Sequence, residues 1–220
     1  MSETDGQQPE NPFDTDTWAQ LPALLEHLPE PVHIIVWGDE TAAARDAEAT
    51  HLCQTLATRF ANISTQTLPR RINYDYWPVL GMMRGTAANY EDMGVRIIGL
   101  PDGYGMTAFI TAVQAVSFRG MTSEVRTRIQ LTKLKEDVRL ELITAANNKA
   151  GSLMSQPLFN MAVINPHIRA FMIMADQFPV IVDRYSVNYL PHTVVNGRVH
   201  IEGVVDEVEI LKHMATAVQA

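Results

Sequence analysis

The stretch that decides the fold runs from residue 165 to 203, NPHIRAFMIMADQFPVIVDRYSVNYLPHTVVNGRVHIEG. Ile168 to Met174 is an apolar run of strand length, and Phe178 to Val187 reads as a short helix. Two short strands then flank Asn196-Gly197, a dipeptide that favours the tight turn of a hairpin. Pro191 opens the first of them. It has no N–H to give a ladder, so it must stand at a strand start or edge, and a cis peptide is one way to place it.

Working outward, Glu136 to Thr144 (EDVRLELIT) is a strand and Gly151 to Ile164 a helix. Downstream, a closing amphipathic helix begins at Asp206, where Asp206 and Glu209 have capping-box spacing, and it carries Val208, Leu211 and Met214. The same order occurs once before. A helix with Trp18, Leu21, Leu24, Leu25 and Leu28 at helical spacing, capped by Asp14 or Asp16, ends at Pro29 and Pro31. PVHIIVW (31–37) is a buried strand, Thr41 to Phe60 a long helix and ANISTQTL (61–68) a strand. YWPVLGMM and GVRIIGL are strands, with RGTAANYEDM between them as a loop or hairpin extension. Helices are expected from Gly105 to Phe118 and from Thr122 to Leu134. Pro78 opens the third strand of this half as Pro191 opens that of the second. The economical organisation is a disordered tail over 1–12, a first unit over 13–121, a connecting helix over 122–135 and a second unit over 136–220.

The chain has 220 residues, long enough for a sizeable core, with 17 Lys+Arg against 25 Asp+Glu and one cysteine. The acidic balance argues against binding a phosphate backbone, and no apolar run is long enough to span a membrane. The opening residues have no basic and apolar leader pattern, so a cytoplasmic protein is expected. One thiol cannot form an internal disulfide, a Cys-rich zinc site or a Cys-x-x-Cys pair. No histidine spacing suggests a metal site, and no cofactor is expected.

The second half, LPHTVVNGRVHIEGVVDEVEIL, resembles the C-terminal part of a thioredoxin or glutaredoxin fold. The tandem arrangement is similar to the N-terminal domain of the flavoprotein subunit of alkyl hydroperoxide reductase, and more distantly to the archaeal-type protein disulfide oxidoreductases. The resemblance runs from about Asp14 to the C-terminus and implies an α/β fold of two tandem thioredoxin-like units, a central mixed sheet flanked by helices. It also implies a Cys-x-x-Cys at the N-terminus of the helix after the first strand of the second unit, where the helix dipole stabilises a thiolate. Counting back from Asn165-Pro166 puts these positions on Asn148 and Gly151. The acidic residue with which the first unit assists that pair matches Ala108. The redox positions are therefore degenerate.

Cys53, inside the first long helix, reads as a small buried apolar residue, with an exposed reactive thiol as the alternative. Gly103-Tyr104-Gly105-Met106-Thr107-Ala108 formally matches a dinucleotide fingerprint, but helices follow it where a strand ending in an acid is required, so it reads as a glycine-lined turn. Asn148 is a good N-cap; with Lys149, Leu190, Pro191 and His192 it is also the candidate groove for a partner's extended segment. The Met-rich helix, with Met154 and Met161, is either buried between the units or an exposed contact patch. Arg119, Arg126, Arg128, Lys133 and Lys135 make the connecting helix basic, as a solvated face or as a docking face for an acidic partner.

The leading expectation is a non-catalytic protein that binds a protein partner or serves as an adaptor subunit of a larger complex, with a homo-oligomer as an option. The alternative is a thiol-dependent electron-transfer or peroxide-detoxifying accessory that acts through Cys53 or a partner's thiols. Whether the chain is an enzyme stays open, with the balance against it.

Overall fold

The computed structural model describes residues 11–219; most of the expected tail lies outside the described residues. The elements run α1 (Thr15–Leu25), β1 (Val32–Trp37), α2 (Ala44–Arg59), β2 (Ile63–Leu68), β3 (Val79–Thr86), β4 (Asn89–Ile98), α3 (Tyr104–Ser117) and α4 (Val125–Leu131). They continue with β5 (Val138–Thr144), α5 (Lys149–Ile164), β6 (Ile168–Met174), α6 (Val180–Arg184), β7 (His192–Val195), β8 (Val199–Glu202) and α7 (Glu207–Gln219).

The strands form one mixed sheet in the order β2-β1-β3-β4-β6-β5-β7-β8. Each half contributes four strands in the order second, first, third, fourth. The halves join where β4 pairs in parallel with β6, from Val95↔Ala170 to Ile98↔Ile173. The segment 84–93 is the tip of the β3–β4 hairpin, with a bulge at Met82/Met83. Asn196 and Gly197 both have positive φ, 51° and 69°, as the primed turn of the β7–β8 hairpin requires. Trp77-Pro78 and Leu190-Pro191 are cis, each just before an edge of its strand.

Local chemistry sets the element ends. Asp14 caps α1, its carboxylate accepting the Thr17 N–H at 2.8 Å. Pro22 lies inside this helix and removes the N–H that Trp18 O would accept. The Arg59 guanidinium donates to that carbonyl instead, at 2.8 Å, and lies 3.8 Å from the Trp18 ring.

Three expected elements are shorter or rotated. The connecting helix holds α-helical geometry only over Val125–Leu131. Turns at Ser123 and Leu134 tighten its ends, and Asn165 Nδ2 donates to the Leu131 and Leu134 carbonyls at 2.6 and 3.1 Å. Pro179 starts α6, and Ser186, with φ of 50°, stops it before Val187. On α7 the buried stripe is Ile210, Met214 and Ala217, leaving Val208 exposed, because a spacing of four and three tracks the helix face. Asp206 accepts the Glu209 N–H at 2.8 Å, but the Glu209 carboxylate turns to Lys212, so only half of the capping box forms.

The larger core packs one face of the sheet against α1, α2, α3, α5 and α7. The other face carries Trp37, Tyr74, Phe171 and Ile173 in a smaller cluster. At its edge Arg96 on β4 is buried. Its guanidinium donates to Tyr74 Oη at 2.9 Å and to Asp92 Oδ1 at 2.9 Å, and lies 5.0 Å from the Trp37 ring. Burial opposes the charge of Asp92, but the hydrogen bonds and charge of Arg96 outweigh it and hold its pKa below the ordinary carboxylate value.

A carboxylate with a depressed folded pKa stabilises the fold at neutral pH and loses that contribution as pH falls through the folded value. Asp92→Asn is therefore expected to cost about 1–2 kcal/mol at pH 7 in urea unfolding. That is less than a fully buried pair would cost, because the Asp92 side chain is 42% exposed. It should also flatten the loss of stability below the ordinary carboxylate range, and an unchanged acid limb contradicts this role.

Candidate functional site

The end of β5 leads through residues 145–148 into α5. Asn148 has extended φ and ψ of −99° and 93°, and its side chain accepts the Gly151 N–H at 2.8 Å, an N-cap. That cap satisfies one of the four donors that a helix start leaves open. Gly151 is buried, and a Cβ added there would collide with the Thr144 hydroxyl and lie 2.7 Å from Thr144 Cβ. Thr144, at the end of β5, thus occupies the volume that a side chain at 151 would need. Its own Oγ1 is buried without a hydrogen-bond partner.

The β5–β7 register, Ile143↔His192, continued by one residue brings Pro191 beside Thr144. From the first half, Tyr104 N–H donates to Ala146 O at 2.8 Å. Gly103 takes φ of 51°, and any Cβ on it would strike that same carbonyl. This close approach accounts for the glycine. The Gly-Tyr-Gly turn therefore packs against the 145–148 loop, and the Tyr104 N–H that a phosphate would need is already engaged. Ala108 lies one turn further along α3 and is fully buried in the core, so the first-half residue that reaches this loop is Tyr104.

Of the five residues expected in a partner groove, Asn148, Lys149 and Leu190 retain surface, whereas Pro191 and His192 are buried. His192 Nε2 lies 2.8 Å from His200 Nδ1 across the β7–β8 ladder, with its ring turned into the sheet face. Burial, then the charge of His200, lowers its pKa, against the pull of Glu202. It is a core histidine and lines no groove. Exposed apolar side chains border the site instead: Tyr189 at 71%, Leu153 at 56% and Tyr104 at 41% exposure. Sequence reasoning misses these three. Leu153, one helical turn after Lys149, belongs by composition with the buried residues of the Met-rich helix, but it stands off the buried stripe.

The Met-rich helix α5 is core. Met154, Leu158, Phe159 and Met161 are all essentially inaccessible. Cys53 is likewise fully buried in α2, and burial pushes its thiol pKa far up, against a hydrogen bond with Thr65. An exposed reactive thiol is therefore not what the fold provides. Among the described residues no group of three or more His, Cys, Asp or Glu side chains is placed to hold a metal ion. Among them, too, no helix is long and apolar enough to cross a membrane.

A family model described as a thioredoxin domain matches residues 154–215. The AhpF component of the alkyl hydroperoxide reductase of Pseudomonas putida is 24% identical over 208 residues, which is 93% of this chain and 38% of that protein. The chain thus spans well under half the length of this relative. Among solved structures, the NTD_N/C domain of alkylhydroperoxide reductase AhpF from Enterococcus faecalis superposes with a TM-score of 0.81 at 19% identity, covering 92% of this chain and 99% of that one. A protein disulfide oxidoreductase from Aeropyrum pernix superposes at 0.82 and 19%, covering 94% of each chain. The fold is α/β, two tandem thioredoxin-like units that share one mixed sheet.

Two outcomes follow from the packing. Gly151→Ala is expected to destabilise the protein by about 1–2 kcal/mol, because overpacking against Thr144 outweighs the helix propensity gained. Thr144→Ala in the same chain should recover part of that loss, a coupling readable by urea unfolding of the single and double variants. Cys53 should react with a thiol reagent only at the rate of unfolding, and modification within the mixing time in native buffer would contradict its burial.

Proposed function

We propose that this chain is a non-catalytic tandem thioredoxin-like protein that recognises a protein partner, as a binding subunit or adaptor in a bacterial cytoplasm. The observation that carries the reading is the pair Asn148 and Gly151. One position is used as a helix cap, and the volume of the other is filled by Thr144. Dithiol exchange needs a thiolate to attack a disulfide and a second thiol to resolve the mixed disulfide. The chain's one thiol, Cys53, is buried and stays protonated. What the scaffold retains around α5 is surface: Asn148, Lys149 and half-buried Leu190, bordered by Tyr189 and Leu153. Exposed aromatic and aliphatic anchors beside polar backbone-capping residues suit an extended segment of another protein.

The relatives' names, a hydroperoxide reductase component and a disulfide oxidoreductase, keep a thiol-linked pathway as the context of the second reading. In it the chain is an accessory whose partner brings the thiols.

With dithiothreitol as reductant, the purified chain is expected to reduce insulin disulfides no faster than buffer alone. Affinity purification from the native host should recover a partner, and Leu153→Ser with Tyr189→Ser should lower its yield by about tenfold, as loss of interface anchors does. Dithiol-dependent turnover of insulin or of a peroxiredoxin disulfide would overturn the non-catalytic reading.

A further inference from the structure

A second surface lies at the other end of α5, where α4 meets its C-terminal residues. On α4, Thr127 and Leu131 face inward and are buried. Val125 and Ile129, also four residues apart, are 69% and 55% exposed. They line a groove of about 490 Å³ whose apolar floor is completed by Val163 and Ile164, and whose charged lining is Arg84, Arg119 and Arg128, with no acid. A pair of aliphatic side chains at i and i+4 beside a groove is the ridge geometry on which a second helix packs.

The electrostatics select the sign of what packs there. The chain carries a net charge of −8, yet residues 119–135 hold five of its seventeen Lys and Arg and a single acid, Glu124. Arg84 and Arg119 are tethered from behind by Glu30, and Arg84 also meets Glu91. The Arg119 side chain nevertheless keeps 61% exposure. Arg126 and Arg128 have no ion-pair partner among the described residues. Arg119 also holds a left-handed backbone, φ of 55°, a conformation that costs a non-glycine residue energy and sets its side chain at the groove rim. Three arginines line the groove, and Glu30 and Glu91 pair with Arg84 and Arg119 only, so Arg128 leaves the rim net positive on a negative protein.

We propose that this groove binds an acidic amphipathic helix of a partner protein, its aliphatic or aromatic residues seated on Val125 and Ile129 and its carboxylates on Arg119 and Arg128. A second copy of the chain fits poorly, since a twofold interface through this face would set arginines against arginines. The inference rests on the protein-binding reading above and adds a second contact with a defined chemistry.

The test is selection of a displayed library of short random peptides on the full chain without counter-selection, each selected peptide then being measured on the variant Val125→Ser/Ile129→Ser. Both residues are exposed, so the variant should fold, and an unchanged thermal midpoint checks this. Selected peptides are expected to be net negative with large apolar residues three or four apart. Their affinity should fall by about tenfold or more in Val125→Ser/Ile129→Ser and in Arg128→Glu, and should weaken with added salt. It should be untouched in Leu153→Ser/Tyr189→Ser.

Neutral or basic selected peptides, or binding that survives both groove variants, would overturn the proposal. So would binding to phosphatidylserine vesicles that Arg128→Glu abolishes, or a dimer in light scattering that Ile129→Ser dissolves. Peptides lost instead in Leu153→Ser/Tyr189→Ser would leave the protein-binding reading standing and this groove without a role. Failure to select any peptide would count against both.

Discussion

The parallel pairing of β4 with β6 is the constraint on which the rest of the molecule depends. It turns two four-stranded halves into one eight-stranded sheet and buries both of the edges that would otherwise face water. The approach is tight enough to require Gly94, whose φ is 70° and whose Cβ would lie 2.7 Å from Ile168 O. Once the strands are paired, α3 and α5 are brought together over the junction, where their apolar faces merge in the larger core. Parallel strands buried on both faces explain why IRAFMIM and GVRII read as near-continuous apolar runs.

That junction also determines what the start of α5 can do. Backbone from the first half, at Gly103 and Tyr104, is seated on Ala146, so the first half holds the loop before α5. The cap at Asn148 and the packing of Thr144 against Gly151 then make this helix start a finished structural element. A redox pair needs a solvent-reachable thiolate there. The residues present give instead a capped helix start flanked by exposed Tyr189 and Leu153, the surface on which the proposed recognition rests.

Much of this is legible in the sequence. Asn196-Gly197 marks its hairpin, Pro78 and Pro191 mark the third strand of each half, and Ile168 to Met174 is placed to the residue. These signals are local and need no knowledge of neighbours. The parts that escape depend on contacts between distant segments. Thr144 and Gly151 are close in sequence, but their complementarity exists only once β5 and α5 are packed. His192 follows the proline in sequence and is expected at the surface; strand alternation and its partner His200 turn it into the sheet. The Arg96, Asp92 and Tyr74 network joins a loop to a strand, and the ends of α4 are set by Asn165 from another element. Exposed Leu153 is detectable as the residue off the buried stripe of α5 only when the stripe is drawn against α3.

The central claim is that recognition by this scaffold needs no thiol chemistry. Its most direct test is electrophoresis, with and without reductant, of the complex recovered from the host by wild-type chain and by Cys53→Ser. The account requires that the partner separate from the chain in detergent alone and that the variant recover it in equal yield. An adduct that only reductant dissolves, and that is missing with Cys53→Ser, would contradict it.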